Sequence, residues 1–389
     1  MTSGGGCECD KPWRVSATRN NDGDHSTGEQ QMGLGLDWRS PLGLADQFSL
    51  RASRDTVTDR WHHSESQSLF YSVPSGWWTF AYGYMQVGYG VRDETSRLPS
   101  TLDGDVHLLG ASLHRGRSNF SYSYKQFDYH ASGSGLPFKL DGDSRSHQVR
   151  AEHVLYSDRV GKTSILMGLK YSHSSSNKIY LGNNRQEGQS TWGSETLLGF
   201  NHLQRVGSGF VKLYFDWLQV SGHPHGDDGH AHYAKYSLTF SYLQPFPLWG
   251  ELFSFDSLAA GQKSEGVLPN RQRISLGGNS SVRGFKDQTL IGDTGGYWRN
   301  KVRWHRAVEW KPLRPWLQEY GVAVAYDIGV IRHDYYSSGT SGRMSGSAIE
   351  LDVRGRYFAS SISFARSLER PSAIERREYP IFFRVDAFF

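Results

Sequence analysis

Alternation with a period of two organises this chain. In "MGLGLDW", Met32, Leu34, Leu36 and Trp38 alternate with Gly33, Gly35 and Asp37. In "SILMGLKYS", Ile165, Met167, Leu169 and Tyr171 alternate with Leu166, Gly168 and Lys170, and in "VKLYFDW", Val211, Leu213, Phe215 and Trp217 alternate with Lys212, Tyr214 and Asp216. In "YGVAVAYDIGV", Val322, Val324, Tyr326, Ile328 and Val330 alternate with Gly321, Ala323, Ala325, Asp327 and Gly329. Successive side chains of a strand point to opposite faces, so each segment predicts a strand with one apolar face and one small or polar face. Such segments recur from residue 13 to the last residue, and helix signals are nearly absent.

Alternation alone fits a soluble sandwich or a membrane barrel. The connections separate them. Short turns such as "PSG" (74–76), "HRGRS" (114–118) and "RVGSG" (205–209) alternate with long polar loops at 92–105, 130–145 and 221–232. Short turns at one end and long loops at the other is the outer-membrane pattern. The final segment, "IFFRVDAFF", puts Ile381, Phe383, Val385, Ala387 and Phe389 on one face and Arg384 and Asp386 on the other. A sandwich has little use for so apolar a terminal strand, whereas a barrel closes with one. The predicted fold is all-β, a transmembrane antiparallel barrel.

Composition agrees. The 389 residues are 37% hydrophobic with a mean hydropathy of −0.58, and no apolar run is long enough for a membrane helix. Barrels escape that test because half of each strand is polar. The 12 Trp, 21 Tyr and 44 Gly suit aromatic girdles and bending strands. The net charge of +4 is too dilute to imply nucleic acid. Cys7 and Cys9 both lie in a Gly-rich tail, so they cannot staple the fold, and that tail lacks the apolar region of a signal peptide.

Candidate chemistry is sparse. His223, His225, His230 and His232, with Asp227 and Asp228, could hold Zn or Ni, but they fall in a long outer loop where polar tips are ordinary. The motifs G-x-S-x-G and H-E-x-x-H and the Walker and Rossmann glycine patterns are missing. The reading is therefore no enzyme and no cofactor.

The segment "ISLGGNSSVRGFKDQ" (274–288) is a Gly- and Ser-rich loop that nonetheless sets Arg283 between apolar Val282 and Gly284–Phe285. With it, several segments resemble the two-partner secretion transporters, the TpsB branch of the Omp85 superfamily. "RISLGGNSSVRGF" (273–285) resembles their signature loop, and "GGYWRNKVRW" (295–304) the strand after it. "AYDIGV" (325–330) resembles their [FY]-x-D-x-G strand, "SPLGLADQFSL" (40–50) an early turn and "YSVPSGWWTF" (71–80) a hairpin. All five occur in family order from about residue 13 to the end.

The resemblance implies a barrel in the outer membrane that exports an unfolded partner protein without nucleotide hydrolysis. Its partners would be outer-membrane lipid, a secreted exoprotein and the barrel-assembly machinery, and it would be a monomer. It also implies that the long loop, about 264–294, folds into the lumen and that Arg283 pairs with Asp327 beside Gly329. The residues agree in part, since alternation puts Asp327 on the polar face and a confined Arg favours a bidentate carboxylate. A passive porin is the main alternative and an outer-membrane hydrolase barrel a weaker one, but a porin has no reason to carry "VRGF" and "YDIG" together, and no nucleophile–base pair stands out for a hydrolase. The same alternation assigns Asp37, Lys170, Lys212, Asp216, Arg299, Arg303, Glu350, Asp352, Arg354, Arg384 and Asp386 to the lumen wall. Phe383, Val385 and Phe389 mark the closing strand.

Two departures from the family stand out. Its POTRA modules and plug helix have no counterpart here. The chain is a tail over 1–12 and a barrel over 13–389, which reads as truncated or engineered and is expected to act as an open or partly plugged channel. The strand count is about 18 against the roughly sixteen of the family. The surplus falls at 79–118, where "FAYGYMQVGY" (80–89) and "FSYSYKQFDY" (120–129) match in a 40-residue register, as if one hairpin had been inserted or duplicated.

Overall fold

The structure is a computed structural model that describes residues 11–23, 30–55, 62–92, 99–133, 138–181, 185–224, 231–269, 272–332 and 341–389. Thirteen strands precede the long loop: β1 (Trp13–Asn20), β2 (Gln31–Arg39), β3 (Gln47–Asp55), β4 (His62–Ser75), β5 (Trp78–Arg92), β6 (Pro99–Arg115), β7 (Ser118–Ser132), β8 (Phe138–Ser157), β9 (Gly161–Tyr180), β10 (Gln186–Val206), β11 (Gly209–Pro224), β12 (Ala231–Leu248) and β13 (Glu251–Glu265). The loop carries two short strands, β14 (Ile274–Leu276) and β15 (Leu290–Gly292). Five strands follow: β16 (Gly295–Ala307), β17 (Leu317–Ile331), β18 (Gly342–Gly355), β19 (Phe358–Glu369) and β20 (Ile381–Phe388).

All strands except β14 and β15 form one antiparallel, 18-stranded sheet in which each pairs with its sequence neighbour, and β1 pairs with β20 to close it. β14 and β15 pair with each other. Closure removes the free edges that would otherwise invite other chains. The closing ladder is short, joining Ser16–Asn20 to 384–388. The Asn21 side chain extends it. Its Nδ2 donates to the Ile381 carbonyl at 2.6 Å, and its Oδ1 accepts from the Phe383 amide at 2.7 Å.

Two-residue turns at one end use left-handed glycines, Gly76, Gly116, Gly207 and Gly250, the residues that reach positive φ at least cost. The wider β2–β3 turn is organised by Asp46, whose buried carboxylate accepts the amides of Leu42 and Leu44. Exposed Trp77, Trp78, Trp249, Trp310 and Trp316 gather at this end, as in an interfacial girdle.

Directly paired residues share a face, so the register can be followed around the sheet. One row runs Leu203–Lys212–Ser241–Leu258–Arg299–Asp327–Gly346. The opposite face presents exposed Leu34, Met167, Leu169, Phe215, Val324, Ile349 and Val385. The main buried cluster lies where the loop meets the sheet: Leu276, Val282, Phe285, Leu290, Ile331, Met344 and Ile374.

The boundaries expected from sequence shift in places. β13 continues to Glu265, so the loop spans 266–294 rather than about 264–294, and β18 begins at Gly342. Serine and glycine in these stretches carry no alternation, but their backbones pair. β5 and β6 form a full hairpin of the sheet, and Phe80, Tyr82 and Tyr84 share its apolar face with Leu109.

Deleting residues 79–118 would join Trp78 to Asn119 and bring Phe120, Tyr122 and Tyr124 opposite β4 in place of Phe80, Tyr82 and Tyr84. The shortened chain should close with two strands fewer and keep the faster migration of an unboiled barrel in cold SDS electrophoresis. Loss of that fast form would show that this hairpin is required for closure.

Candidate functional site

The loop buries its arginine against the sheet. Arg283 is 1% exposed, and Asp327 of β17 is fully buried beneath it. Arg283 Nε donates to Asp327 Oδ2 and Nη2 to Oδ1, both at 2.6 Å, and the Arg283 backbone amide adds a third bond to Oδ2 at 3.0 Å. Nη1 donates to Glu350 of β18. Burial works against the guanidinium charge, but the hydrogen bonds to Asp327 and the negative charges of Asp327 and Glu350 outweigh it and raise the pKa above its ordinary value. The site therefore holds a permanent cation against two carboxylates.

Glycines make the approach possible. The Arg283 carbonyl lies so close to Gly346 of β18 that any side chain there would collide with it. A Cβ on Gly329 would come within 2.9 Å of both Leu276 and Val282. The D-x-G pattern of β17 thus has two separate jobs: Asp327 binds the arginine, and Gly329 leaves room for the valine before it. Gly284 has φ of 106°, and a Cβ there would meet the Arg366 carbonyl of β19 at 2.6 Å. The loop closes on itself through Gly278 N donating to the Phe285 carbonyl at 2.5 Å. The Ser281 hydroxyl accepts from the Gly277 amide and donates to the Gly277 carbonyl.

Charges continue outward from this pair. Arg299 of β16 stands 3.8 Å from Asp327 and donates to the Ser280 carbonyl at 2.9 Å. Lys301 lies 3.4 Å from Glu350, and Arg303 lies 3.5 Å from Asp352. Three cations on β16 therefore face three carboxylates on β17 and β18. Following the register from strand to strand places all eleven charges assigned to the wall on the face that carries Asp327. They do not converge on one point. Asp37 pairs with Arg51, Lys170 with Glu195, and Arg384 with Asp386. Phe383 and Val385 lie on the other face of β20, and Phe389 exchanges backbone hydrogen bonds with Val15.

Two further charged residues belong to this region, Lys301 and Glu378. Lys301 is legible in the sequence, since it sits between Arg299 and Arg303 at the same alternation. Glu378 lies outside any strand and had no periodic signal. Of the histidine candidates, His225 and His230 lie outside the described residues, as does the side chain of His223. His232 is exposed on β12 and contacts Ser221. Among the described residues no group of His, Cys, Asp or Glu is arranged to hold a metal ion.

Comparison with known proteins points the same way as the geometry. The family model described as haemolysin secretion/activation protein ShlB/FhaC/HecB matches residues 8–115 and 107–353. The chain is 26% identical over 390 aligned positions to the outer membrane transporter CdiB of Dickeya dadantii, covering 98% of this chain and 61% of that protein. It is 24% identical to the hemolysin transporter protein HpmB of Proteus mirabilis, covering 88% and 54%. Among solved structures, CdiB from Escherichia coli superposes with a TM-score of 0.69 at 23% identity, over 97% of this chain and 63% of that one. The chain thus spans somewhat more than half the length of the relatives it matches.

Substituting either partner of the central pair strands a buried charge, which costs about 3–5 kcal/mol. Arg283→Ala and Asp327→Ala should each lower the temperature at which the cold-gel fast form is lost. The double substitution should cost little more than either single one. Additive losses would mean that the two residues stabilise the protein separately.

Proposed function

Because the chain belongs to the haemolysin secretion/activation protein family ShlB/FhaC/HecB, a family of outer-membrane transporters, we propose that its barrel passes a secreted partner protein across the outer membrane as an extended polypeptide. The observation that carries this reading is the pinned loop, Arg283 held by Asp327 and Glu350 on the face with the charges. In an outer-membrane barrel the apolar face meets lipid and the polar face lines the lumen. On this reading loop 266–294 lies inside the barrel, and its contacts with β17, β18 and β19 support that position.

The wall suits a moving chain. Cations and carboxylates alternate along it and are mostly paired with one another, so an extended segment of either charge meets no strong trap. Passage needs no nucleotide hydrolysis, and no catalytic role falls to the chain. The barrel acts as a monomer, inserted by the barrel-assembly machinery. Residues 79–118 are an added hairpin that widens the pore, since diameter grows roughly with strand number. Two features support the addition: the 40-residue repeat, and a family match that falls into two pieces overlapping at 107–115.

Reconstituted protein in a planar bilayer should conduct ions with a cation-to-anion permeability ratio within about threefold of unity, because the wall charges are mixed in sign. Arg283→Ala should raise the current or its fluctuation. A bilayer that stays silent for both proteins would rule out an open lumen. Cells expressing the chain with a candidate exoprotein provide the second readout, and secretion unaffected by Arg283→Ala would remove the loop from the mechanism.

A further inference from the structure

The connection between β19 and β20, residues 370–380, is not a free loop tip. Ile374 inserts into the apolar cluster formed by Val282, Phe285 and Leu276 of the long loop. Four residues on, Glu378 is buried at 7% exposure. Its carboxylate turns toward the loop. Oε2 accepts the backbone amides of Lys286 at 2.6 Å and Asp287 at 3.1 Å, and Oε1 accepts the Gln288 side-chain amide at 2.8 Å. The Glu378 backbone is itself fixed to β19. Its amide donates to Ser367 Oγ at 2.9 Å, and its carbonyl accepts the Ser367 amide at 3.1 Å. Gln288 reaches back to the same connection, accepting from the Glu375 amide and donating to the Arg376 carbonyl.

We propose that Glu378 is a positioning residue for transport, the second mounting point that holds residues 286–288 and so keeps Arg283 seated on Asp327. The loop leaves the Arg283 anchor through Gly284, whose left-handed backbone gives it a pivot. Phe285, next to the pivot, is held in the apolar cluster, but residues 286–288 beyond it would be left to swing without an anchor of their own. A carboxylate that gathers three donors just beyond the pivot removes that freedom. The bonds are charge-assisted and sheltered, so each is stronger than an ordinary neutral one. The barrel thereby grips the loop from two strand pairs, β17–β18 through Asp327 and Glu350, and β19–β20 through Glu378. This inference rests on the reading of the loop as the element inside the lumen, and its test separates the two.

The readout is amide hydrogen exchange of the peptide covering 282–288 in folded barrel in detergent, measured beside bilayer current. In Glu378→Ala the Lys286 and Asp287 amides should exchange at least about tenfold faster, with the fast-migrating cold-gel form retained. Glu378→Gln should lie between, because one amide oxygen can still accept both backbone amides while the Gln288 contact is lost. Glu375→Ala, on the exposed side of the same connection, should match the parent. Unchanged exchange in Glu378→Ala overturns the proposal. Faster exchange with unaltered current supports the mounting and counts against the pore reading. If Glu378→Ala does not fold, Gln288→Ala takes its place and should accelerate exchange of the Glu375 amide, and an unaltered rate there overturns the proposal as well.

Discussion

Everything in the loop region depends on one buried arginine finding enough negative charge. A guanidinium removed from water costs several kcal/mol unless its donors are met and its charge is balanced. Asp327 meets it with both oxygens and Glu350 takes a further donor, while Arg299 and Lys301 keep those carboxylates from carrying excess charge. Remove the pair and the surrounding glycines lose their reason. Gly329, Gly346 and Gly284 are small because the backbone that delivers Arg283 runs directly against them.

The sheet supplies the frame on which such a pair can form. Its period of two sorts every strand into an apolar and a polar face, and pairing between sequence neighbours propagates that sorting around the closed sheet. A shift of one residue in a single ladder would turn all of its charges toward lipid. The many matched charges of that face therefore reinforce the register. Lys170 stands directly opposite Glu195, and that bond is one that only one alignment allows.

Much of this was legible in the sequence because the relevant signals are local. Alternation is visible within seven residues, as in "VKLYFDW", and it placed Lys212 and Asp216 on the charged face without any knowledge of their neighbours. Two-residue turns announce themselves through glycine. The Arg283–Asp327 pair is different, since 44 positions separate its members, and it was reached only through resemblance to a family. Glu378 was not reached at all. Its main partners are backbone amides, which every residue possesses, so nothing in "IERREYP" distinguishes it from its neighbour Glu375. The end of β13 and the start of β18 carry no periodic signal for a related reason. Their serines and glycines pair through the backbone and show no contrast between faces.

The closing ladder carries a consequence for how the barrel is assembled. Every other ladder of the sheet joins strands that follow one another around the barrel, the widest gap being the loop between β13 and β16, so each closes a far shorter stretch of chain. The β1–β20 ladder joins Ser16–Asn20 to residues more than 350 positions away, and it is among the shortest. Contacts between such distant segments bear the largest loop-closure entropy and form last. Until they do, the protein is a curled ribbon with two bare edges, each an invitation to another strand. The Asn21 amide, which mimics a further peptide unit at that junction, lengthens the grip at the point where the ribbon must find its own other end.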